Sequence, residues 1–449
     1  MPYDARVYST HGIAPPKEDA MTVTIASPLT LPCGITLNNR LAKAALTEGL
    51  SDGHNRATPA HQRLYRKWSE GGAGLILTGN VQVDRRYLER PGNIAIDHNG
   101  GEDALAAMAQ AGTVGGNQLW MQLSHAGRQT IRYLNAVPVG PSAVPVKLPG
   151  GAFGKPRALT EAEIDDVIAR FTQAAVIAKQ TGFTGIQLHA AHGYLISEFL
   201  SPKANIRTDQ WGGRLENRAR LLLTLVKSIR AQVGPAFAIC VKLNSADFQK
   251  GGFNQEDSMQ VAQWLEAASV DLLEISGGTY EQLSFFGVGA EGDIVPAKAK
   301  STLEREAYFL DYAEAMRKVC RIPMMVTGGF RSLTGMNSAL ANDALDVIGL
   351  GRPLCVETDL PQKLLAGEVS AAPRYEDQLH IGPGLLGPNS RINRVRNFNH
   401  MYAQGWYCAQ LLRLGRGEEP NAALSAFRGI IDYLANEFRG TRSLVDRQR

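Results

Sequence analysis

The stretch TEAEIDDVIARFTQAAVIAKQTGFTGIQLHAAHGY, residues 160–194, passes from one periodicity to another, and its reading decides the fold. In its first half Ile164, Val167, Ile168, Phe171 and Ala175 recur at helical spacing and share one face. Thr160 and Glu163 stand at capping-box spacing, where each side chain satisfies a free backbone N–H at the helix start. Gly182 stops the pattern. "GIQL" (185–188) then opens a short apolar run that ends in His189, His192 and Tyr194. A helix with one apolar face, followed at once by an apolar strand, is a unit in which helices cover a sheet.

The same rhythm extends both ways along the chain. Upstream lie "RLAKAALT" (40–47), "GLILTGNVQV" (74–83) and "QLWMQLSH" (118–125). Downstream lie "AFAICVKLN" (236–244), "DLLEISGG" (271–278), "PMMVTGG" (323–329) and "DVIGLG" (346–351). With "GIQLHA" (185–190) these make eight runs, most of them separated by helical patterns, and they favour an α/β fold, the (β/α)8 TIM barrel. An open doubly wound sheet is the competing arrangement.

Three segments fall outside the rhythm. Residues 1–27 read as an N-terminal arm. The Pro-rich run 131–159 is too long for an ordinary connection and reads as an inserted hairpin or lid after strand 3. After a barrel over 28–370, the extension 371–449 holds two helical patterns around "WYCAQLLRL" and "AALSAFRGIIDYLANEF".

Composition narrows the function classes. The chain has 449 residues, 44% hydrophobic and 20% charged, which is ordinary for a globular protein. A formal net charge of +4 without a dense Lys/Arg block gives no indication of nucleic-acid or membrane binding. No run approaches the roughly 20 apolar residues of a membrane helix. Five scattered cysteines, no CxxC pair and no charged-then-apolar leader lead to the expectation of reduced thiols in a cytoplasmic protein. The aromatic and leucine surface of "WYCAQLLRL" outside the barrel points toward a homo-oligomer.

In a barrel the C-terminal strand ends form the active face. Thr47, Asn80, Gln122, His125, His189, His192, Tyr194, Lys242 and Arg352 all fall there. Gly328 and Gly329 close strand 7, and Gly351 and Arg352 close strand 8, where bare backbone N–H groups and a forked cation can hold a phosphate. The alternative is tight turns with a surface arginine. "GVGAEG" (287–292) fits GxGxxG literally but has no strand before it and Pro296 after it, so it reads as a mobile loop.

His189 and His192 lack the further ligands of a barrel metal site, since "RLAKAALTE" offers no histidine and HAAH lacks the glutamate of HExxH. No metal is expected. Structural histidines are the default, a default weakened by two of them with a tyrosine on one strand end. As donors they would grip a carbonyl or nitro oxygen, with Tyr194 as general acid.

With these residues in view, the chain resembles the old yellow enzyme family of FMN-dependent oxidoreductases. "LTLPCGITLNNRLAKAALTE", "WMQLSHAGRQ", "HAAHGYLISEFLSPKANIRTDQWGGRLENR" and "VIGLGRP" resemble family blocks in the right order, over roughly residues 28–366. The resemblance implies tightly bound FMN and NADPH or NADH as electron donor. It implies Thr47 near the flavin C4 carbonyl, Gln122 at the pyrimidine edge, Lys242 facing N1 and O2, and Gly329, Gly351 and Arg352 at the phosphate. It implies His189 and His192 on the activating group of a small-molecule alkene, with Tyr194 as proton donor.

Departures touch the flavin potential and substrate shape. Ala45 replaces a common proline, Asn80 stands where a small residue is usual, Lys242 replaces arginine, and Gly49 leaves empty the place of an aromatic lid found in one subclass. Iron–sulfur relatives need closely spaced cysteines after the barrel; Cys355 and Cys408 stand alone, so no cluster is expected. Two rivals stay open: a Schiff-base aldolase on Lys242, and a flavin-bound isomerase or oxidoreductase of a specialised biosynthetic pathway.

Overall fold

The computed structural model describes residues 22–148, 151–279, 307, 309–382, 384–387 and 390–445. All eight apolar runs contain strands: β1 (Leu41–Lys43), β2 (Leu75–Leu77), β3 (Gln118–Ser124) and β4 (Gly185–Ala190), then β5 (Ala238–Asn244), β6 (Leu272–Ser276), β7 (Met324–Thr327) and β8 (Val347–Leu350). Each pairs in parallel with the next, and β8 pairs with β1. The sheet therefore closes, which removes both open edges.

Side chains alternate along a strand, so every second residue points into the barrel. At its base these are apolar: Ala42, Leu75, Trp120, Ala238, Cys240, Leu272, Met325 and Val347 form one cluster. Gly185 vacates the space that Trp120 fills, since a Cβ there would lie 2.6 Å from the indole Cδ1. An antiparallel ladder of Leu29–Thr30 with Thr36–Leu37 brings Leu31 and Leu37 onto the same cluster. Two residues further along the same inward phase come Gln122, Lys242, Glu274 and Thr327, with Gln187 and His189 from β4. The interior thus turns from apolar to polar toward the C-terminal strand ends.

Among the described residues each strand is followed by a helix of the outer ring: α1 (Pro59–Glu70), α2 (Glu102–Ala111), α3 (Glu161–Gln180), α4 (Leu215–Val233), α5 (Gln255–Ala267), α6 (Leu310–Arg317), α7 (Leu333–Ala341) and α8 (Leu360–Leu365), with a further short helix, Leu195–Leu200, directly behind β4. In α3 the expected face is the buried one, with Ile164, Val167, Phe171 and Ala175 inside and Ile168 partly so. Its capping box forms: Glu163 N–H donates to Thr160 Oγ1 at 3.3 Å and Thr160 N–H to Glu163 Oε2 at 2.9 Å. Thr160→Ala should cost about 1 kcal/mol, read as a shift of the urea midpoint at constant m-value.

Two expectations are refined or bounded here. The insertion 131–159 pairs with itself in two ways: an antiparallel bridge joins Ile131 to Phe153, as a hairpin would, while the two-residue ladder of Val139–Gly140 with Arg157–Ala158 is parallel. Strand direction depends on where the chain re-enters, and the segment returns to the same end before pairing. Of the N-terminal arm, residues 1–21 lie outside the described residues, as does "GVGAEG"; Ile25 is buried, and its N–H donates to Asn337 Oδ1 at 2.9 Å.

Beyond the barrel run α9 (Asn393–Arg416) and α10 (Ala426–Ser443). Gly405 and Gly429 let them cross closely, since a Cβ on Gly429 would lie 2.8 Å from Trp406 Cα. The pair packs over the active end of the barrel: Arg63 Nε on α1 donates to Gly415 O at 2.8 Å, and Asn436 Nδ2 donates to Gly49 O at 2.9 Å.

Candidate active site

A cavity of about 340 Å³ opens at the C-terminal strand ends. Ala45, Thr47, Asn80, Gln122, His189, His192, Tyr194, Lys242 and Arg352 all line it. Gly328, Gly329 and Gly351 do not; they form the backbone turns after β7 and β8. His125 is also absent from the lining. It is buried, stacks on Tyr87 at 5.0 Å and accepts from Gly127 N–H through Nδ1 at 3.0 Å, which is an architectural role.

The opening motif is built by β4 and the turn behind it. His189 ends the inward row of β4, its ring edge-on to His192 at 5.0 Å and to Tyr194 at 4.7 Å. Its Nδ1 accepts from Ala191 N–H at 3.3 Å, which leaves the proton on Nε2. His192 has φ +62°, in the left-handed region that a β-carbon disfavours. Contacts on backbone and ring hold it there: its N–H donates to Asn244 Oδ1 at 3.1 Å, its C=O accepts from Gln129 Nε2 at 3.1 Å, and its Nε2 lies 2.6 Å from Ser276 Oγ. Such strain gathers at sites that must aim a side chain.

Burial, then the charges of His192 and Lys242, pushes His189 well below the usual 6.5. Burial and then Lys242 do the same to His192. Both rings are therefore neutral near pH 7. Tyr194 is 3% exposed, and Asn80 Nδ2 reaches its Oη at a long 3.5 Å.

Buried neutral histidines also tie stability to pH. Burial pushes His61 and His125 down to about 4, against about 6.5 in the unfolded chain. Below pH 6.5 the unfolded state binds protons that the native state does not, so stability is full above that value and falls as the pH drops toward 4. Each histidine contributes a slope of up to about 1.4 kcal/mol per pH unit. Urea titrations between pH 7 and 4.5 should show this decline, and His125→Gln should make it shallower.

On the cavity floor Lys242 Nζ is ion-paired with Glu274 Oε1 at 2.9 Å. The register sets Lys242 beside His189 on one side and Glu274 on the other. Thr47 Oγ1 donates to Glu89 Oε2 at 3.3 Å. The roof comes from residues that motif reading did not reach: Tyr407 and Cys408 on α9, Tyr433 and Glu437 on α10, and Glu89 and Arg90. Arg90 Nη2 pairs with Glu437 Oε1 at 2.5 Å, and its guanidinium lies 2.9 Å from where a Cβ on Gly49 would be. The place left empty by Gly49 is thus occupied by Arg90.

The donor set suits a flavin mononucleotide. Gly328 and Gly329 have φ of +101° and +95°, so the turn after β7 is bare backbone in a conformation that side chains disfavour. Beside it, after β8, stands the Arg352 guanidinium, 46% exposed, with its Nη2 3.5 Å from Glu376 Oε1. A phosphate there would meet bare backbone and the exposed side of that guanidinium, a cation and an amide stand on the floor, and the buried Asn80 Oδ1 has no hydrogen-bond partner among the described residues.

Residues 25–369 match the family model described as the NADH:flavin oxidoreductase / NADH oxidase family. The chain belongs to that family.

The chain is 36% identical over 412 residues to the NADH-dependent flavin oxidoreductase iccE of Talaromyces variabilis, covering 87% of this chain and 98% of the relative. It is 37% identical over 354 residues to iliE of Neonectria sp. (strain DH2), a longer relative of which the match spans 46%, against 75% of this chain. Among solved structures, the old yellow enzyme homologue from Zymomonas mobilis superposes with a TM-score of 0.65 at 25% identity, covering 77% of this chain and 94% of that one. The fold and the old yellow enzyme resemblance hold, and a flavin with a reduced nicotinamide donor accords with the family. Among the described residues no helix is long and apolar enough to cross a membrane, and no group of three or more His, Cys, Asp or Glu could hold a metal ion.

Proposed function

We propose that the chain is an FMN-dependent ene-reductase acting on a small alkene activated by a carbonyl or nitro group. The observation that carries this reading is the meeting of His189, His192 and Tyr194 at one wall of the cavity, above the floor that holds Lys242 and Gln122. Gln122, Lys242 and Thr47 would hold the flavin ring, and Gly329, Gly351 and Arg352 its phosphate. When bound and reduced by NAD(P)H, FMN supplies hydride for the β-carbon of the alkene.

The chain's own groups do the rest. His189, neutral with its proton on Nε2, donates to the activating oxygen and adds no charge that would trap the ground state. His192 stands beside it as the second donor. As the β-carbon accepts hydride, negative charge gathers on that oxygen, where prepositioned donors act most strongly. Tyr194 Oη holds the proton that goes to the α-carbon. The C=C bond becomes a single bond and one NAD(P)H is oxidised.

The Lys242–Glu274 ion pair speaks against an aldolase, which needs an uncharged amine as nucleophile. The test is the visible spectrum of purified protein, taken anaerobically, before and after NADPH and then 2-cyclohexenone. A yellow protein that bleaches and recovers with the enone is the expected result. Bleaching without recovery rejects the alkene as acceptor. A colourless protein that takes up no added FMN rejects the flavin.

A further inference from the structure

Beneath the floor lies a set of buried polar groups to which the chemistry above gives no role. Glu274 is fully buried on β6. Its Oε1 takes the Lys242 ammonium at 2.9 Å and a hydrogen bond from Thr327 Oγ1 at 2.7 Å. Its Oε2 accepts from Gln187 Nε2 at 2.7 Å. Gln187 Oε1 in turn accepts from Gln122 Nε2 at 2.6 Å.

The direction of this chain follows from chemistry and not from how amide atoms are assigned. A carboxylate only accepts, so Gln187 must turn its NH2 group toward Glu274. Its carbonyl oxygen then faces Gln122, which must donate. The Gln122 carbonyl is the end left for the cavity, and so an acceptor, where a ring N–H can meet it. One buried carboxylate thereby orients the floor's amide and offsets the charge of its lysine.

We infer that Glu274 is a positioning residue that holds down the reduction potential of the bound flavin. This rests on the flavin reading above. A cation at the Lys242 position favours the reduced, electron-rich ring, and a carboxylate 2.9 Å from that cation subtracts from its field in a site with little water to screen it. The pair also limits how far Lys242 Nζ can travel toward the ring.

The test loads wild type, Glu274→Gln and Glu274→Asp with FMN and equilibrates each anaerobically against a reference dye. Glu274→Gln keeps the shape and removes the charge. It should move the balance of oxidised and reduced flavin toward reduced by at least about tenfold, about 30 mV for a two-electron couple. Glu274→Asp draws the charge back from Lys242 by one methylene and should move the balance the same way by about two- to fourfold. A folded, yellow Glu274→Gln protein with the wild-type potential overturns the assignment. If that variant does not fold, an unchanged or opposite potential in Glu274→Asp does so. Wild-type protein that binds no FMN removes the flavin reading, and this assignment with it, whereas yellow variants with unaltered potentials remove this assignment alone.

Discussion

Tyr194→Phe is expected to slow alkene reduction by a factor on the order of 10²–10⁴, while reduction of the flavin by NAD(P)H stays nearly unchanged. The substitution removes one oxygen from a buried ring packed edge-on against His189 at 4.7 Å, so phenylalanine keeps the packing and loses the hydroxyl, with its proton and its long contact to Asn80 Nδ2. Stopped-flow absorbance resolves the two half-reactions. Equal loss in both would mean that the hydroxyl supports the site as a whole and is no proton source.

Arg90→Met is expected to cost about 3–5 kcal/mol of stability. The Arg90 and Glu437 side chains are 6% and 11% exposed and paired at 2.5 Å, so removing the guanidinium leaves a buried carboxylate without its partner. Arg90 also stands over the Tyr433 ring at 5.0 Å, and its Nη1 donates to Thr47 O at 3.3 Å. It joins the C-terminal helices to the strand-end loops at the roof of the cavity. Urea unfolding measures the loss, and the double variant Arg90→Met/Glu437→Met should recover most of it. A loss below about 1 kcal/mol would show that the pair is solvated and that the roof is held by packing alone.

Much of this site was legible from local pattern. The strands of a closed barrel are buried on both faces, so each appears as an apolar run whatever its neighbours. His189, Lys242 and Arg352 stand out because they interrupt or end such runs. Glu274 was legible in the same way, an acid in the inward phase of "DLLEISGG" two residues after Leu272, and Gln187 was its counterpart in "GIQLHA". The signal was present, but a residue at mid-strand reads as a defect until its partners on β4, β5 and β7 are known. The parallel ladder of the insertion was not legible, because a two-residue strand has no period and its direction depends on where the chain returns.

The sequence by itself determined the eightfold alternation, the helix cap at Thr160, the active end of the barrel and the family block around HAAHGY. Each is local: periodicity, capping and turn chemistry act within a few residues of one another. The tertiary structure decided what covers the cavity and how its charges are offset. Arg90 meets Glu437 across 347 residues of chain and Gly49 meets Asn436 across 387. Lys242 meets Glu274 only because β5 and β6 lie side by side in that register. Contacts of that kind leave no period along the chain, because burial and charge pairing between segments far apart in sequence select them.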